Sequence, residues 1–276
     1  MKPTQFDYER PVDLSKAVEL IERSDITVRA LAGGQSLVPM LNMRLAQPDL
    51  LVDLTRVREL RRVDQTDDAI IIGACVTHAD IEDRRVPDVT NGALPSIASG
   101  IAYRAVRNRG TIGGSLAHGD PSADWLTSLA AFDAEVLVRS KVGQRRIAVD
   151  SFLTGAFQVA IGLGELVEAV RIPRVSKAAR WGYYKACRKT GEFAQAIGAV
   201  LHDPERDVFR AVLGATESAP IVIRDAEALF GRKTFHGPLN SGALGRALDD
   251  VGRTDSLDKQ VHFAALKRAI QQAGLS

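Results

Sequence analysis

Cysteine is nearly absent from this sequence. Only Cys75 and Cys187 occur in 276 residues, with no Cys-x-x-Cys pair and no metal-like spacing. An iron–sulfur cluster ordinarily takes four cysteine ligands, so this chain cannot itself hold one. Both thiols are expected to behave as small buried hydrophobes or inert thiols. An excess of charge is missing too: the net charge is +2, too small for a nucleic-acid surface. No apolar run approaches a membrane span, and the opening MKPTQFDYERP lacks the apolar core of a signal peptide. No repeat of about 20–50 residues is visible. The expectation is a reduced, soluble, cytoplasmic protein without nucleic-acid partners.

What is present is an ordinary globular composition, 45% hydrophobic and 25% charged, long enough for two domains. Asp13 or Ser15 is placed to cap a helix carrying Ala17, Val18, Leu20 and Ile21. An apolar strand, Val28 to Leu31, runs into Ala32-Gly33-Gly34-Gln35-Ser36, followed by a helix over 37–45 with Pro39 in its first turn. Strand, glycine turn and helix N-terminus together offer unpaired amides to an anion. Leu50 to Leu54 reads as a buried strand.

Further on, Ala69 to Ala74 reads as a strand and Thr77 as the cap of a helix over 78–83. The stretch 91–105 reads as a helix broken by Pro95 and Gly100. Arg104, Arg107 and Arg109 read as solvated loop charge. A second glycine pair follows in TIGGSLAHGDPSAD, Thr111 to Asp124, read as a loop leading to a helix over 123–132. Asp124 and the exposed amides of that helix's first turn would form an adenine- or ribose-side ligand site. Strands are expected over 134–139, 145–149 and 166–172. After a charged linker near 174–179 come strands over 180–188, 193–201 and 207–215, then helices over 226–230, 243–251 and 257–273.

Neither glycine pair fits the Walker pattern or GxGxxG. Each one alone reads as a plain turn. Two loops alike in style, about eighty residues apart, could instead grip the two phosphates of one pyrophosphate. A Cβ at Gly33 or Gly114 would then occupy the phosphate approach. His118 reads as a structural or solvated histidine rather than a base. His78, His202, His236 and His262 share no ligand spacing, so no metal site is expected. Taken alone, Lys185 reads as a strand-edge charge and Phe193 as a core residue.

AGGQSL, TIGGSLAHGDPSAD and YYKACRKTGEFA, in this order, resemble the flavoprotein (medium) subunit of molybdenum hydroxylases. That family includes the carbon monoxide dehydrogenase medium subunits and the FAD domain of xanthine dehydrogenase. The opening FDYERPVDLSKAVELI is similar as well, so the resemblance covers essentially the whole chain. It implies an α+β fold: an FAD-binding domain of the p-cresol methylhydroxylase type over 1–176, with subdomains of about 1–55 and 56–176. A C-terminal α+β domain like that of the carbon monoxide dehydrogenase flavoproteins would occupy 177–276.

By the same resemblance, Ala32, Gly33, Gly34, Gln35 and Ser36, with Leu37, form one pyrophosphate loop. Thr111, Ile112, Gly113, Gly114 and Ser115 form the other. Asp124 would contact the flavin nucleotide, Ile101 would lie against the cofactor, and Val167 would offer a backbone contact to the flavin ring. Lys185 would reach back toward the flavin, and Phe193 would cover one face of the isoalloxazine. Gln35 stands where some relatives have histidine, so FAD would be noncovalent. Ser115 replaces a more common asparagine, with shorter reach.

The implied function is electron transfer through FAD, from the [2Fe–2S] clusters of a small partner subunit to an external acceptor. Substrate would be oxidised on a large molybdenum-cofactor subunit, the assembly being a dimer of heterotrimers. No catalytic acid, base or nucleophile is then expected here. Two alternatives remain open: a stand-alone FAD oxidoreductase acting on a small substrate, and a binding module that has lost its flavin. The substrate and the electron acceptor are left open.

Overall fold

Asp13 does cap the first helix, its carboxylate accepting the Lys16 amide at 2.8 Å. In the computed structural model, which describes residues 2–230 and 238–275, the chain begins with β1 (Asp7–Glu9), α1 (Leu14–Ile21), β2 (Val28–Leu31), α2 (Leu37–Asn42) and β3 (Leu50–Asp53). The three strands form a parallel sheet in the order β1–β3–β2. Every residue of β3 is buried, as befits a central strand covered on both faces. Ala17, Val18 and Leu20 of α1 pack on Leu50 and Val52. They share one face at helical spacing.

The middle of the chain supplies β4 (Val63–Gln65), β5 (Ala69–Gly73), α3 (His78–Glu82), α4 (Ala93–Ser99), α5 (Arg104–Arg107), α6 (Ile112–His118) and α7 (Asp124–Ala131). Then follow β6 (Glu135–Ser140), β7 (Gly143–Ala148), the short hairpin β8 (Leu153–Gly155) and β9 (Gln158–Val159), and β10 (Leu166–Pro173). The large sheet is antiparallel throughout, in the order β4–β5–β10–β6–β7. Thr77 caps α3 with a full capping box to Asp80. Trp125, Leu126 and Leu129 of α7 join Ile70, Ile72, Val136 and Val170 of the sheet in the principal core.

The last third contains β11 (Arg180–Ala186), β12 (Ala196–Asp203), β13 (Val208–Gly214) and β14 (Ile221–Ile223), an antiparallel meander in sequence order. After it come α8 (Ala226–Phe230), α9 (Ser241–Asp250) and α10 (Ser256–Gln272). Side chains alternate across a strand, and β12 uses both faces. Ala199 and Leu201 join the principal core with α7, whereas Val200 faces Leu266 and Ala269 of α10. Gly182 lets α10 lie directly on β11, since a Cβ there would stand 1.8 Å from the Ala269 carbonyl oxygen. The meander is thus clamped between two helices, and α7 is the one that carries Asp124.

The α+β architecture expected from the sequence is present. Several local expectations change. Pro95 does not break α4, because it is the third residue, where no intrahelical amide is needed. Gly100 ends that helix. The second glycine pair is not a loop: Gly113 and Gly114 lie in the first turn of α6, capped by Thr111. The strand expected from residue 193 begins only at Ala196, which leaves Phe193 in the β11–β12 connection. The strands β1, β4, β8, β9 and β14, of two or three residues each, are too short to show in periodicity. Among the described residues no helix is long and apolar enough to cross a membrane.

Candidate functional site

The first glycine loop leaves the edge strand β2 where Leu31 pairs with Asp53. Gly34 takes a left-handed conformation, φ 73°, and the chain enters α2 at Leu37. The amides of Gly33, Gly34, Gln35, Ser36 and Leu37 find no acceptor among the described residues. Ser36, at the N-cap position, makes no side-chain capping bond. A run of unpaired amides around a left-handed glycine is an anion cradle. Gln35 turns its own amide group onto the Gly33 carbonyl at 3.1 Å.

The second loop is built differently. The Ile112 amide donates to Val76 and the Gly113 amide to Ala74. The Gly114 amide donates to Thr111 Oγ1 and that of Ser115 to the Thr111 carbonyl. The amide donors expected of both loops are therefore open only in the first. Gly113 is buried against Ala74, whose Cβ would lie 2.3 Å from a Cβ on Gly113. What this segment offers outward is Gly114 and the half-buried Ser115 hydroxyl.

The two loops touch. A Cβ on Gly33 would stand 2.1 Å from the Arg109 carbonyl oxygen, and one on Gly114 would stand 3.2 Å from the Ala32 Cβ. Gly33 is thus glycine because backbone meets backbone there, a different reason from the phosphate approach expected. Behind this contact, β10 bulges between Val167 and Ala169, and the Glu168 carbonyl accepts the Ala74 amide. Val167 itself is a buried core residue, one position from that bulge.

Asp124 is the first residue of α7, and Ala123 occupies the cap position. The whole helix is buried, first turn included. The expectation of exposed amides there does not hold, because the C-terminal meander covers them. Asp124 Oδ1 accepts the Tyr183 hydroxyl at 2.7 Å and pairs with Lys185 Nζ at 2.9 Å. Both charged side chains are nearly enclosed, 9% exposed for Lys185 and 10% for Asp124. Lys185 also donates to the Gly100 carbonyl at 2.9 Å. Burial, and then the negative charge of Asp124, pushes the Tyr183 phenol well above its ordinary pKa, so it remains a donor.

Lys185 is therefore no strand-edge charge. It joins β11, α7 and the turn after α4. That turn holds Ile101, half-buried against the principal core, and Ala102, strained at φ 42°. Arg107 holds both carbonyls at 2.9 Å and ion-pairs with Glu82. Arg104 pairs with Glu82 and Asp83. The solvated reading fits Arg109, which is exposed, but not Arg107, whose side chain is 12% exposed. The β11–β12 connection meets the same turn, since a Cβ on Gly191 would lie 2.7 Å from the Ala102 carbonyl oxygen. Two residues on, Phe193 is 78% exposed and belongs to no core.

His78 and Tyr183 carry structure that sequence reading missed. Trp125 Nε1–H donates to His78 Nδ1 at 3.1 Å, and the His78 amide donates to the Gly110 carbonyl. Burial, then Arg107, lowers the His78 pKa to about 4. This neutral imidazole links the turn before α6 to the residue beside Asp124. Tyr183 could have been picked out as the residue two before Lys185, on the same face of one strand. His118 lies against Phe157, ring centroids 5.2 Å apart, in agreement with a structural role. His236 lies outside the described residues.

Residues 4–175 match the family model described as the FAD binding domain in molybdopterin dehydrogenase. The chain belongs to this family. Caffeine dehydrogenase subunit beta of a Pseudomonas species is 33% identical over 237 residues, 84% of this chain and 80% of that one. The carbon monoxide dehydrogenase medium chain of Hydrogenophaga pseudoflava is 32% identical over 225 residues, 81% of this chain and 78% of that one. A solved structure of carbon monoxide dehydrogenase from the same organism, lacking the Mo-pyranopterin moiety, contains a chain that superposes with a TM-score of 0.83 at 31% identity, covering 99% of both.

For a member of this FAD-binding family, the open amides of Gly33 to Leu37 suit the doubly charged pyrophosphate of the dinucleotide. The donor chemistry matches the group: backbone N–H groups, a free serine hydroxyl and no carboxylate in the loop.

Proposed function

We propose that this chain is the FAD-carrying electron-transfer subunit of a heteromeric molybdenum hydroxylase. The observation that carries the reading is the cradle of unpaired amides at Gly33 to Leu37, seated against Gly110 and α6. FAD, when bound, supplies a relay that takes up electrons and passes them on. The protein's share is to hold and orient it.

In this reading Ala32, Gly33, Gly34, Gln35, Ser36 and Leu37 bind the pyrophosphate, through amides and the Ser36 hydroxyl. Thr111, Ile112, Gly113 and Gly114 shape the facing wall, to which Ser115 adds a hydroxyl. Ile101 lies against the cofactor, Val167 offers the ring a backbone contact, Phe193 covers one face of the isoalloxazine, and Lys185 brings a positive charge anchored by Asp124. Gln35 offers no imidazole, which supports noncovalent attachment. No side chain is assigned to proton transfer or nucleophilic attack on a substrate.

The partners follow from the relatives, a dehydrogenase subunit beta and a dehydrogenase medium chain. The reading places a molybdenum cofactor on a large partner and [2Fe–2S] clusters on a small one, in a cytoplasmic dimer of heterotrimers. It divides the chain at 176/177 into FAD-binding and C-terminal domains. The test is purification of the native complex, with flavin and metal analysis, alongside reconstitution of the chain alone with FAD. About one FAD per chain, released by denaturation, and co-purification with one larger and one smaller subunit are expected. A chain that takes up no FAD would overturn the reading.

A further inference from the structure

Lys185 is a nearly buried cation of the site, and a lone lysine is a flexible point charge. Its fixed position needs partners that are themselves fixed. Gly100 supplies a backbone carbonyl at the end of α4, and Asp124 supplies a carboxylate at the start of α7. The Asp124 carboxylate is in turn held by Tyr183, whose ring stands on the same strand face as Lys185.

We propose that Tyr183 is a positioning residue for the flavin. Its hydroxyl holds the Asp124 carboxylate in the orientation that keeps the Lys185 ammonium on the Gly100 carbonyl, presenting a fixed positive charge to the cofactor.

The geometry supports this in three ways. Tyr183 donates to Asp124 Oδ1 at 2.7 Å, while Lys185 lies 2.9 Å from Oδ1 and donates to Oδ2 at 3.2 Å, so hydroxyl and ammonium together fix both oxygens of the carboxylate. Asp124 is the hydroxyl's acceptor among the described residues, so removing the oxygen leaves no other polar contact of that group to disturb. Trp125, next to Asp124, is pinned to His78, so the helix end cannot follow a drifting carboxylate. A positive charge held near a flavin favours the more negative, reduced form over the oxidised one. Loss of Tyr183's hydroxyl is therefore expected to weaken reduced flavin more than oxidised flavin.

This inference rests on the FAD-binding reading, and its test separates the two. Apo chain of the wild type, Tyr183→Phe, Asp124→Ala and the double variant are titrated with FAD, and the midpoint potential of each bound flavin is measured. The wild type binding FAD upholds the reading whatever the variants do. Tyr183→Phe is expected to fold normally by circular dichroism and to bind oxidised FAD about tenfold more weakly, the size of a lost hydrogen bond to a charged group. A further tenfold loss for the reduced form corresponds to a potential lower by about 30 mV for a two-electron couple. Tyr183→Phe added to Asp124→Ala is expected to change neither quantity further, since the hydroxyl's partner is already gone. Wild-type affinity and potential in Tyr183→Phe, additive effects in the double variant, or failure of Tyr183→Phe to fold would each overturn the proposal.

Discussion

The backbone of Gly33 rests on the carbonyl of Arg109, with room for hydrogen and none for a methyl group: a Cβ would stand 2.1 Å from that oxygen. This contact joins the amide cradle to the segment leading into α6. Gly33→Ala must therefore push the loops apart rather than merely crowd a ligand. We expect FAD affinity to fall at least a hundredfold, with destabilisation of about 1–3 kcal/mol from overpacking. Flavin titration and urea unfolding of the apo chain check this, and FAD binding within fivefold of wild type would refute it.

Ser36 makes the opposite prediction. Its hydroxyl has no capping role and its residue is exposed, so Ser36→Ala should leave unfolding free energy within about 0.5 kcal/mol of wild type. FAD binding should nevertheless weaken by about 1 kcal/mol, one lost hydrogen bond. Equal FAD affinity in the two proteins would remove Ser36 from the cradle.

Lys185→Met tests the buried ion pair. The substitution keeps much of the apolar stem but leaves Asp124 enclosed without its cation. Breaking a buried pair from one side costs about 3–5 kcal/mol. Chemical denaturation at neutral pH should show a loss of about that size in the apo chain. A loss below about 1 kcal/mol would mean that solvent already shares the pair.

His78 predicts a pH dependence. Above pH 6.5 the imidazole is neutral in both the folded and the unfolded chain. Between 6.5 and the folded value of about 4, the unfolded chain takes up a proton that the folded one refuses. Stability therefore falls as pH falls through this window, and the contribution is exhausted near pH 4. The full span is worth about 3 kcal/mol. His78→Gln keeps an acceptor for Trp125 and removes the titration. Unfolding free energies at pH 7 and pH 4.5 should then differ less in the variant than in the wild type, and identical slopes would reject the assignment.

How far the chain could be read in advance differs from element to element. The unit β2–Gly33–Gly34–α2 was legible because its signals are local: an apolar strand, a glycine pair, a serine and an apolar helix in direct succession. Thr77 was legible as a cap for the same reason, and Asp13 as one of two candidates beside Ser15. The segment from Thr111 misled, since a glycine pair usually marks a turn. Here Gly113 is required by the passage of Ala74 behind it, a contact between residues far apart in the chain. Phe193 was placed in a strand because its flanking residues alternate, although β12 begins at Ala196.

Residue order alone was enough to establish the family, the strand–glycine–helix cradle and the lack of cluster-binding thiols, because each depends on neighbours in the chain or on composition. Only the folded chain decided which amides remain open. Among the described residues those of Gly33 to Leu37 face no acceptor, whereas those of α6 are taken by Val76, Ala74 and Thr111. It also decided that Asp124 meets Tyr183 across 59 positions and Lys185 across 61. Hydrogen bonds and ion pairs act over a few ångströms, and packing the meander on α7 is what brings those groups within that distance.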